Sequence, residues 1–174
     1  WGVVIIEGLE IKEHRGFPFI KAKEYRASSD WFSLLDIGST NTLAFKSMVL
    51  KNADVKVITY KGDSIDNFNR FISKFDDGKP RNPNKPMFQL RSRVQILDSK
   101  ISIVNQNHTG EESKWLTADH FNLTAPLLKV KGPDVSARIN NMTFQTVRWG
   151  KKHLVETFST DFSLTKEKLT FKDL

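Results

Sequence analysis

The sequence predicts a mostly β fold: a curved antiparallel sheet of about nine or ten strands, with one amphipathic helix near residues 64–75. Three observations predict it. Apolar and polar residues alternate in several runs, of which Phe88–Ile96 is the clearest. Turn residues separate these runs, and a single stretch has helical spacing of its apolar residues. Because the runs follow one another as hairpins do, we expect antiparallel pairing.

The composition limits the class of protein. With 174 residues, 39% of them hydrophobic, the chain can form one domain with a core of its own. No apolar run of membrane-spanning length is present, and the absence of Cys excludes disulfides and Cys-based metal sites. The first residue is Trp1 and the last run resembles a strand, so we expect a segment of a longer protein.

The chain divides into strands over residues 1–60, a helix and Pro-rich loop over 61–86, and further strands over 87–174, all within one β segment. Turns are expected at Lys51-Asn52 and Asp98-Ser99 because Asn, Asp and Ser favour turns. The predicted strands are Val3–Ile11, Phe17–Ala27, Thr42–Leu50, Asp54–Tyr60, Phe88–Ile96, Ile101–Ile103, Phe121–Ala125, Val135–Ile139, His153–Thr165 and Leu169–Phe171.

One stretch predicts a helix, because its apolar residues recur at i, i+3, i+6, i+7 and i+10. These residues are Ile65, Phe68, Phe71, Ile72 and Phe75. Asp63 or Ser64 is expected to cap the helix start, and Gly78 to end it. Two interpretations stay open: the helix closes the end of a core, or it forms a lid or plug over an apolar trough.

A short pattern predicts bends in the strands. It places apolar residues on either side of a small polar residue or Gly, as in Ile6–Ile11, Phe45–Leu50 and Ile139–Phe144. The step of three residues between apolar positions breaks the alternation of a strand. The strand must therefore bulge or bend to keep both apolar side chains on one face. Repeated bends would curve the sheet.

The width of the sheet decides how its apolar side is covered. Ten strands spaced by about 4.8 Å span roughly 48 Å, whereas a helix is about 10 Å across and covers only two of them. The sheet must therefore fold over as a sandwich, a barrel or a half-closed groove. A sandwich or barrel packs a dry core, but a groove leaves an apolar trough that needs a ligand.

Three segments of the sequence resemble the N-terminal region of the TamB (translocation and assembly module) family in the AsmA-like superfamily. They are GLEIKEHRGFPFIKAKEYRAS, TYKGDSIDNFNRFISKFDDGKP and VKGPDVSARINNMTFQ. The resemblance covers most of the chain, but not the segment around Lys114–His120. It implies a taco-like β groove that conducts phospholipid between the inner and outer membranes. The alternative that it implies is a scaffold that helps insert outer-membrane proteins through exposed strand edges.

The resemblance also implies location and partners: the periplasm, phospholipid, an outer-membrane barrel partner of the TamA type, and an inner-membrane anchor outside this chain. The groove would be lined by the inward apolar residues, which could equally pack against one another. These residues are Phe45, Phe88, Leu90, Val94, Ile96, Ile101, Ile103, Phe121, Leu123, Ile139, Phe144, Phe158, Phe162 and Leu164.

Other functions are less well supported by the residues. The four His lie far apart, and no nucleophile or metal-ligand motif is present, so we expect neither an enzyme nor a cofactor. The net charge of +7 raises the question of nucleic acid. Aromatic residues should point inward while Lys and Arg point outward, which separates stacking from charge and argues against it.

Overall fold

The computed structural model describes residues 2–29, 41–73, 87–132, 134–165 and 168–173. Its elements are β1 (Gly2–Lys12), β2 (Pro18–Ser29), β3 (Thr42–Thr59), α1 (Asn67–Ser73), β4 (Gln89–Asn105), a 3₁₀ turn (Gly110–Ser113), β5 (Lys114–Lys131), β6 (Asp134–Ile139), β7 (Asn141–Arg148), β8 (Lys151–Val155), β9 (Thr160–Leu164) and β10 (Leu169–Lys172). The predicted mostly β fold with about ten strands and one short helix is confirmed. No helix in these ranges is long and apolar enough to cross a membrane.

All ten strands belong to one open sheet. Its main path runs β1-β2-β3-β4-β5-β6-β9-β10, and β7 and β8 branch from β5. β5 pairs with β6 over one part of its length and with β7 over another, so β6 and β7 together act as one interrupted strand. β1 and β10 are the two ends of the path and do not pair with each other in the described part of the chain.

The sheet is mixed, which corrects the prediction of a purely antiparallel one. β3 and β4 run parallel, with Val55 beside Ile101 and Val57 beside Ile103, whereas the other pairs are antiparallel. Parallel neighbours need a connection long enough to carry the chain back along the sheet. The stretch that holds α1 provides it, so the helix lies on a crossover and not in a hairpin loop.

Two predicted turns are wrong. Lys51-Asn52 lies inside β3, and Asp98-Ser99 lies inside β4, so each of these strands is far longer than expected. Asn52 and Asp98 have the positive φ values that Asn and Asp tolerate in turns, 47° and 42°. Here the flanking residues stay paired with the same neighbouring strands, and the chain continues instead of reversing.

Four strands, β1, β3, β4 and β5, are each interrupted by a residue with a left-handed backbone. We call these four residues the kink row. Its members are Gly8 (φ 66°), Asn52 (φ 47°), Asp98 (φ 42°) and His120 (φ 50°). The strand registers place Gly8 and Asn52 at the same level of the sheet, with one residue of β2 between them. The interruption at Gly8 is the one predicted from the step between Ile6 and Leu9.

A second row of interruptions crosses the sheet nearer its other rim. The β3–β4 register shifts between Ala44 and Ser47, as the pattern in Phe45–Leu50 predicted. β6 and β7 are separated at Asn140, where the third predicted bend falls. β5 is continuous, but its partner changes from β7 to β6 at Pro126, which has no N–H to donate. The two rows divide the long strands into three parts.

The helix begins later than predicted. α1 starts at Asn67, and its N-cap side chain is that of Asp66, which accepts the Asn69 N–H at 2.8 Å; Asp63 and Ser64 do not cap it. Asp63 instead accepts from Arg15. Of the predicted apolar face, Ile65 is exposed and precedes the helix, and Phe68 and Phe71 pack on Phe19. The Ile72 side chain, Phe75 and Gly78 lie outside the described residues.

Candidate apolar binding face

Strand register gathers the predicted lining residues on one side of the sheet, which we call the apolar face. Ile96 of β4 pairs with Leu123 of β5, and Leu123 pairs with Met142 of β7. Directly paired residues point to the same side of a sheet. The same argument places Val94, Ile101 and Ile103, through their β5 partners, and Phe162 and Leu164, through their β6 partners, on this face.

The kinks keep this face apolar along the whole strand. In β4 the predicted lining residues Leu90, Val94 and Ile96 occupy even positions, whereas Ile101 and Ile103 occupy odd positions, and Asp98 lies between the two groups. Without a left-handed residue, strict alternation would turn one half of the strand inside out. The kink row therefore maintains the apolar face from rim to rim.

The apolar face is only partly covered. Phe121 (6% exposed) and Ile139 (8% exposed) are the buried members of the predicted set, and the other members keep part of their surface accessible. Phe121 packs against Phe144 at a centroid distance of 6.1 Å. A side chain buried in a dry, interlocked core touches neighbours on all sides, so this degree of exposure describes an apolar surface and not a sealed core.

The apolar face reaches the edge of the sheet at β10. Phe162 packs against Phe171 at a centroid distance of 5.6 Å, and Leu164 pairs with Leu169, yet Leu169 and Phe171 are each about half exposed. Phe158 precedes β9, outside any strand, and its carbonyl accepts the Met142 N–H at 2.9 Å. Phe45 lies in the second row of interruptions, and Phe88 lies just before β4.

The opposite side of the sheet is ionic. Cross-strand ion pairs run along it: Lys21 with Glu10 (3.2 Å), Lys51 with Glu24 (2.9 Å), Lys100 with Asp119 (3.1 Å) and Arg138 with Asp161 (3.0 Å). Hydrogen bonding from the facing cation is the main cause that lowers the pKa of Glu10, Glu24 and Asp161. Around these ion pairs, charged and apolar side chains lie on opposite sides of the sheet, as the alternation predicted.

Two buried residues at the helix corner were missed by the sequence analysis. Asn67 is 1% exposed; its amide oxygen accepts the Ile58 N–H at 2.8 Å and its amide nitrogen donates to the Lys56 carbonyl at 2.9 Å. The Asn67 side chain thus hydrogen-bonds to the β3 backbone as a neighbouring strand would, beyond the last residue of β3 that pairs with β2. Phe19 is fully buried beneath the helix. Nothing in the local pattern distinguishes Asn67 from a surface residue of the helix.

A polar cluster holds the β1–β2 hairpin against the end of β3. The buried Glu13 carboxylate accepts the backbone N–H groups of Arg15 and Phe17, and the Tyr60 hydroxyl donates to it at 3.3 Å. Burial, followed by the Glu13 charge, raises the pKa of Tyr60. The Arg15 guanidinium stacks on the Tyr60 ring at 4.1 Å. The described residues contain no group of His, Asp and Glu able to hold a metal ion.

This arrangement defines a class of protein surface, an open β sheet with one apolar and one ionic side, but not a family. No family model, curated protein or solved structure matches the chain. The resemblance to the TamB family therefore stays a prediction.

Proposed function

We propose that this chain is a length of an open groove that conducts phospholipid between the inner and outer membranes of a Gram-negative envelope. The observation that carries the proposal is the partly exposed apolar face, which continues from strand to strand and is backed by an ionic face. Acyl chains gain free energy wherever they leave water for such a surface. Polar headgroups would stay at the wet rim of the sheet.

The dimensions suit acyl chains. The main path has eight strands, which at about 4.8 Å spacing give an apolar strip about 34 Å long across the strands. Each leaflet of a bilayer contributes about half of a hydrocarbon core roughly 30 Å thick, so one tail is about 15 Å long. The strip is therefore longer than one lipid tail, as a conducting surface requires.

The proposal assigns no catalytic step to the chain. Transport along a groove needs a continuous contact surface, and the groove of a longer protein would extend this one beyond both ends of the sheet. The inner-membrane anchor and the outer-membrane barrel partner belong to the proposal and lie outside this chain.

Crosslinking in cells tests the proposal with a matched pair of positions. A photo-reactive amino acid replaces Leu123, on the apolar face, or Thr124, the next residue of β5 on the ionic face. We expect phospholipid adducts from position 123 and none from position 124. Adducts to protein alone at position 123, or equal lipid capture at both positions, would overturn the proposal.

Lipid extraction from the purified chain gives a second test. Leu123→Lys places a charge on the apolar face beside Ile96, which should remove co-purifying phospholipid because a charge is costly in contact with acyl chains. Thr124→Lys is the control, since its side chain projects to the other face. Circular dichroism checks that both variants keep their β structure. Retention of lipid by a folded Leu123→Lys protein would contradict the groove.

A specific observation favours the second candidate, an assembly scaffold that pairs with a client strand. β1 pairs only with β2 in the described part of the chain, and its first half is apolar on both faces; Val3, Val4, Ile5 and Ile6 are all exposed. Natural edge strands are usually protected by Lys, Pro or short length. β10 has only four residues and ends in Lys172, whereas Gly2–Ile6 has none of these protections.

An edge substitution separates the two candidates. Val4→Lys should prevent strand addition at β1 while the lipid contacts of Leu123 are unchanged, because the two positions lie on different strands. The scaffold function predicts that an outer-membrane client crosslinks to position 4 and that Val4→Lys abolishes insertion of that client. Normal client insertion by the Val4→Lys protein would contradict the scaffold function, and lipid conduction would then be the remaining candidate.

A further inference from the structure

The turn between β7 and β8 contains an unusual tryptophan. Arg148 pairs with Lys151, so Trp149 and Gly150 form a two-residue hairpin loop, with φ values of 50° and 72°. Positive φ at both positions is the type I′ turn, in which Asn or Asp normally occupies the first position. A bulky side chain with positive φ is strained. The sequence therefore carries a conformational cost to place an indole at this tip.

The indole at this tip is exposed together with other large apolar side chains. Trp149 is 76% exposed and Trp115, at the start of β5, is 67% exposed. Val147 and Leu154 are also more than half exposed. Gln145 pairs with both Asp119 and Leu154, so alternation places Val147 and Leu154 on the ionic side of the sheet. This patch is therefore separate from the apolar face.

One arginine joins the two tryptophans. The Arg148 guanidinium donates to the carbonyl oxygens of Lys114 and Trp115, at 3.2 Å for the latter, and lies over the Trp149 ring at 5.3 Å. β5 and the β7–β8 turn thus present both indoles from one corner of the sheet. We call Lys114, Trp115 and residues 147–154 the tryptophan corner.

The charge of the tryptophan corner is positive. Residues 147–154 contain Arg148, Lys151 and Lys152 and no acidic residue. Lys114 adds a fourth cation, with Glu111 at 3.9 Å as its partner, and Glu112 is the other acidic residue of the adjoining 3₁₀ turn. The tryptophan corner and its adjoining turn therefore carry more cations than acidic residues.

We infer that the tryptophan corner binds the surface of an anionic lipid bilayer. Indole rings favour the boundary between headgroups and acyl chains, where the ring is apolar and its N–H is hydrated. Lys and Arg beside them are attracted to headgroup phosphates and to the negative surface potential. Exposed apolar residues next to cations in the chain match this partner. The inference does not depend on the transport proposal, because it concerns the β7–β8 turn and the start of β5 and none of the predicted lining residues.

Vesicle binding tests the inference with the whole chain. The protein is sedimented with phosphatidylglycerol-containing vesicles and with pure phosphatidylcholine vesicles. We expect binding to the anionic vesicles that weakens with added salt, and much less binding to phosphatidylcholine. Equal binding to both kinds of vesicle, or to neither, would overturn the inference.

Matched variants locate the binding surface. Trp149→Asn restores the preferred turn residue, so it keeps the hairpin, and Trp115→Thr keeps a β-forming residue in β5. Together they should reduce binding to anionic vesicles by about tenfold or more. Phe17→Ser, which removes an aromatic residue that is also more than half exposed, in the β1–β2 turn, is the control and should leave binding unchanged. Binding that falls equally in the control, or stays within about twofold in the double variant, would contradict the assignment.

Charge reversal and self-association complete the test. Lys151→Glu with Lys152→Glu should weaken binding to anionic vesicles, whereas Lys129→Glu, near the other rim, should not. Sedimentation velocity tests the alternative that the tryptophan corner binds a second copy of the chain. A wild-type dimer that Trp149→Asn dissociates, in a protein that does not bind vesicles, would replace the membrane with a protein partner and overturn the inference.

Discussion

The Asp98 carboxylate and the His120 imidazole lie 2.8 Å apart on neighbouring strands, and both residues have positive φ. Asn52, the left-handed residue of β3, donates its amide to the carbonyl and carboxylate of the same Asp98. The Asp98 N–H in turn donates to the Asn122 side chain at 2.9 Å. Where the strands kink, side chains therefore replace part of the backbone ladder. Apart from Gly8, the members of the kink row are polar residues that tolerate a left-handed backbone, and their side chains reach one another across strands.

The effect of a substitution at Asp98 on stability should depend on how readily the new residue adopts a positive φ, more than on the size of its side chain. Asp98→Val loses the hydrogen bonds that the Asp98 carboxylate makes with Asn52 and His120, and it also places a β-branched residue at φ 42°. Asp98→Gly loses the same hydrogen bonds but adopts this φ freely. We expect the valine variant to have a free energy of unfolding lower than that of the glycine variant by about 1–2 kcal/mol. Chemical denaturation measures both, and equal values would show that the left-handed backbone is not required.

The buried amide of Asn67 should be essential for the attachment of α1. Asn67→Ala leaves the Ile58 N–H and the Lys56 carbonyl without their partner in a nearly closed site. An unpaired buried polar group costs about 1–3 kcal/mol, so we expect a loss of about 2 kcal/mol or more. The control is Asn69→Ala on the exposed side of the same helix, which should cost less than about 1 kcal/mol. Similar losses for the two variants in chemical denaturation would contradict this role.

Trp149→Asn should stabilise the fold while it removes an exposed side chain. Asn is preferred at a left-handed turn position, where a bulky residue is strained, so we expect a gain of about 1 kcal/mol in the free energy of unfolding. Thermal unfolding of the free protein measures this gain. Gly150→Ala is the opposite control, because Gly150 has φ 72° and alanine should destabilise the turn. A Trp149→Asn protein no more stable than wild type would remove the evidence for strain.

The ionic face should lose stability in acid. Lys51 lowers the pKa of Glu24 below its ordinary value of 4.5, and Arg138 lowers the pKa of Asp161 below 3.8. A carboxyl whose pKa is lower in the folded state contributes stability that is complete above its unfolded pKa and lost as the pH falls through the folded value. The unfolding midpoint should therefore be level near neutrality and fall below about pH 4.5.

Glu24→Gln isolates one of these contributions. Because it removes the titrating group, its unfolding midpoint should fall less steeply below pH 4.5 than that of wild type. The exposed Glu7, which has no ion pair among the described residues, gives the control Glu7→Gln. Parallel pH profiles for wild type and Glu24→Gln would show that the pair with Lys51 does not contribute.

Much of the secondary structure could be predicted because it depends on local pattern. The alternation in Phe88–Ile96 and the turn residue Gly16 identified strands and a hairpin that the structure confirms. The errors at Asn52 and Asp98 have one cause. These residue types favour a left-handed backbone, and a turn and a kink both use it. Whether the chain reverses or continues depends on which strands pair on either side.

The apolar face was predictable in its members, but its openness was not. Inward residues such as Leu123 and Ile96 follow from alternation, and the bends at Gly8 and Ser47 follow from the spacing of apolar residues. Spacing cannot state how much of each side chain stays accessible, since that depends on what packs above it. The tryptophan corner was missed because Trp115 and Trp149 are distant in sequence, and neither residue by itself indicates a binding site.

The sequence by itself determined a β-rich chain with bent strands, one short helix, and apolar and charged residues sorted onto opposite faces. These properties arise from side-chain alternation and from backbone preferences that act within a few residues. Only the tertiary structure decided that β3 and β4 run parallel, that the left-handed residues align in a row, and that Arg148 links Trp115 and Trp149 at one corner. Each of these depends on which distant strands pair, and pairing is decided by the free energy of the whole sheet.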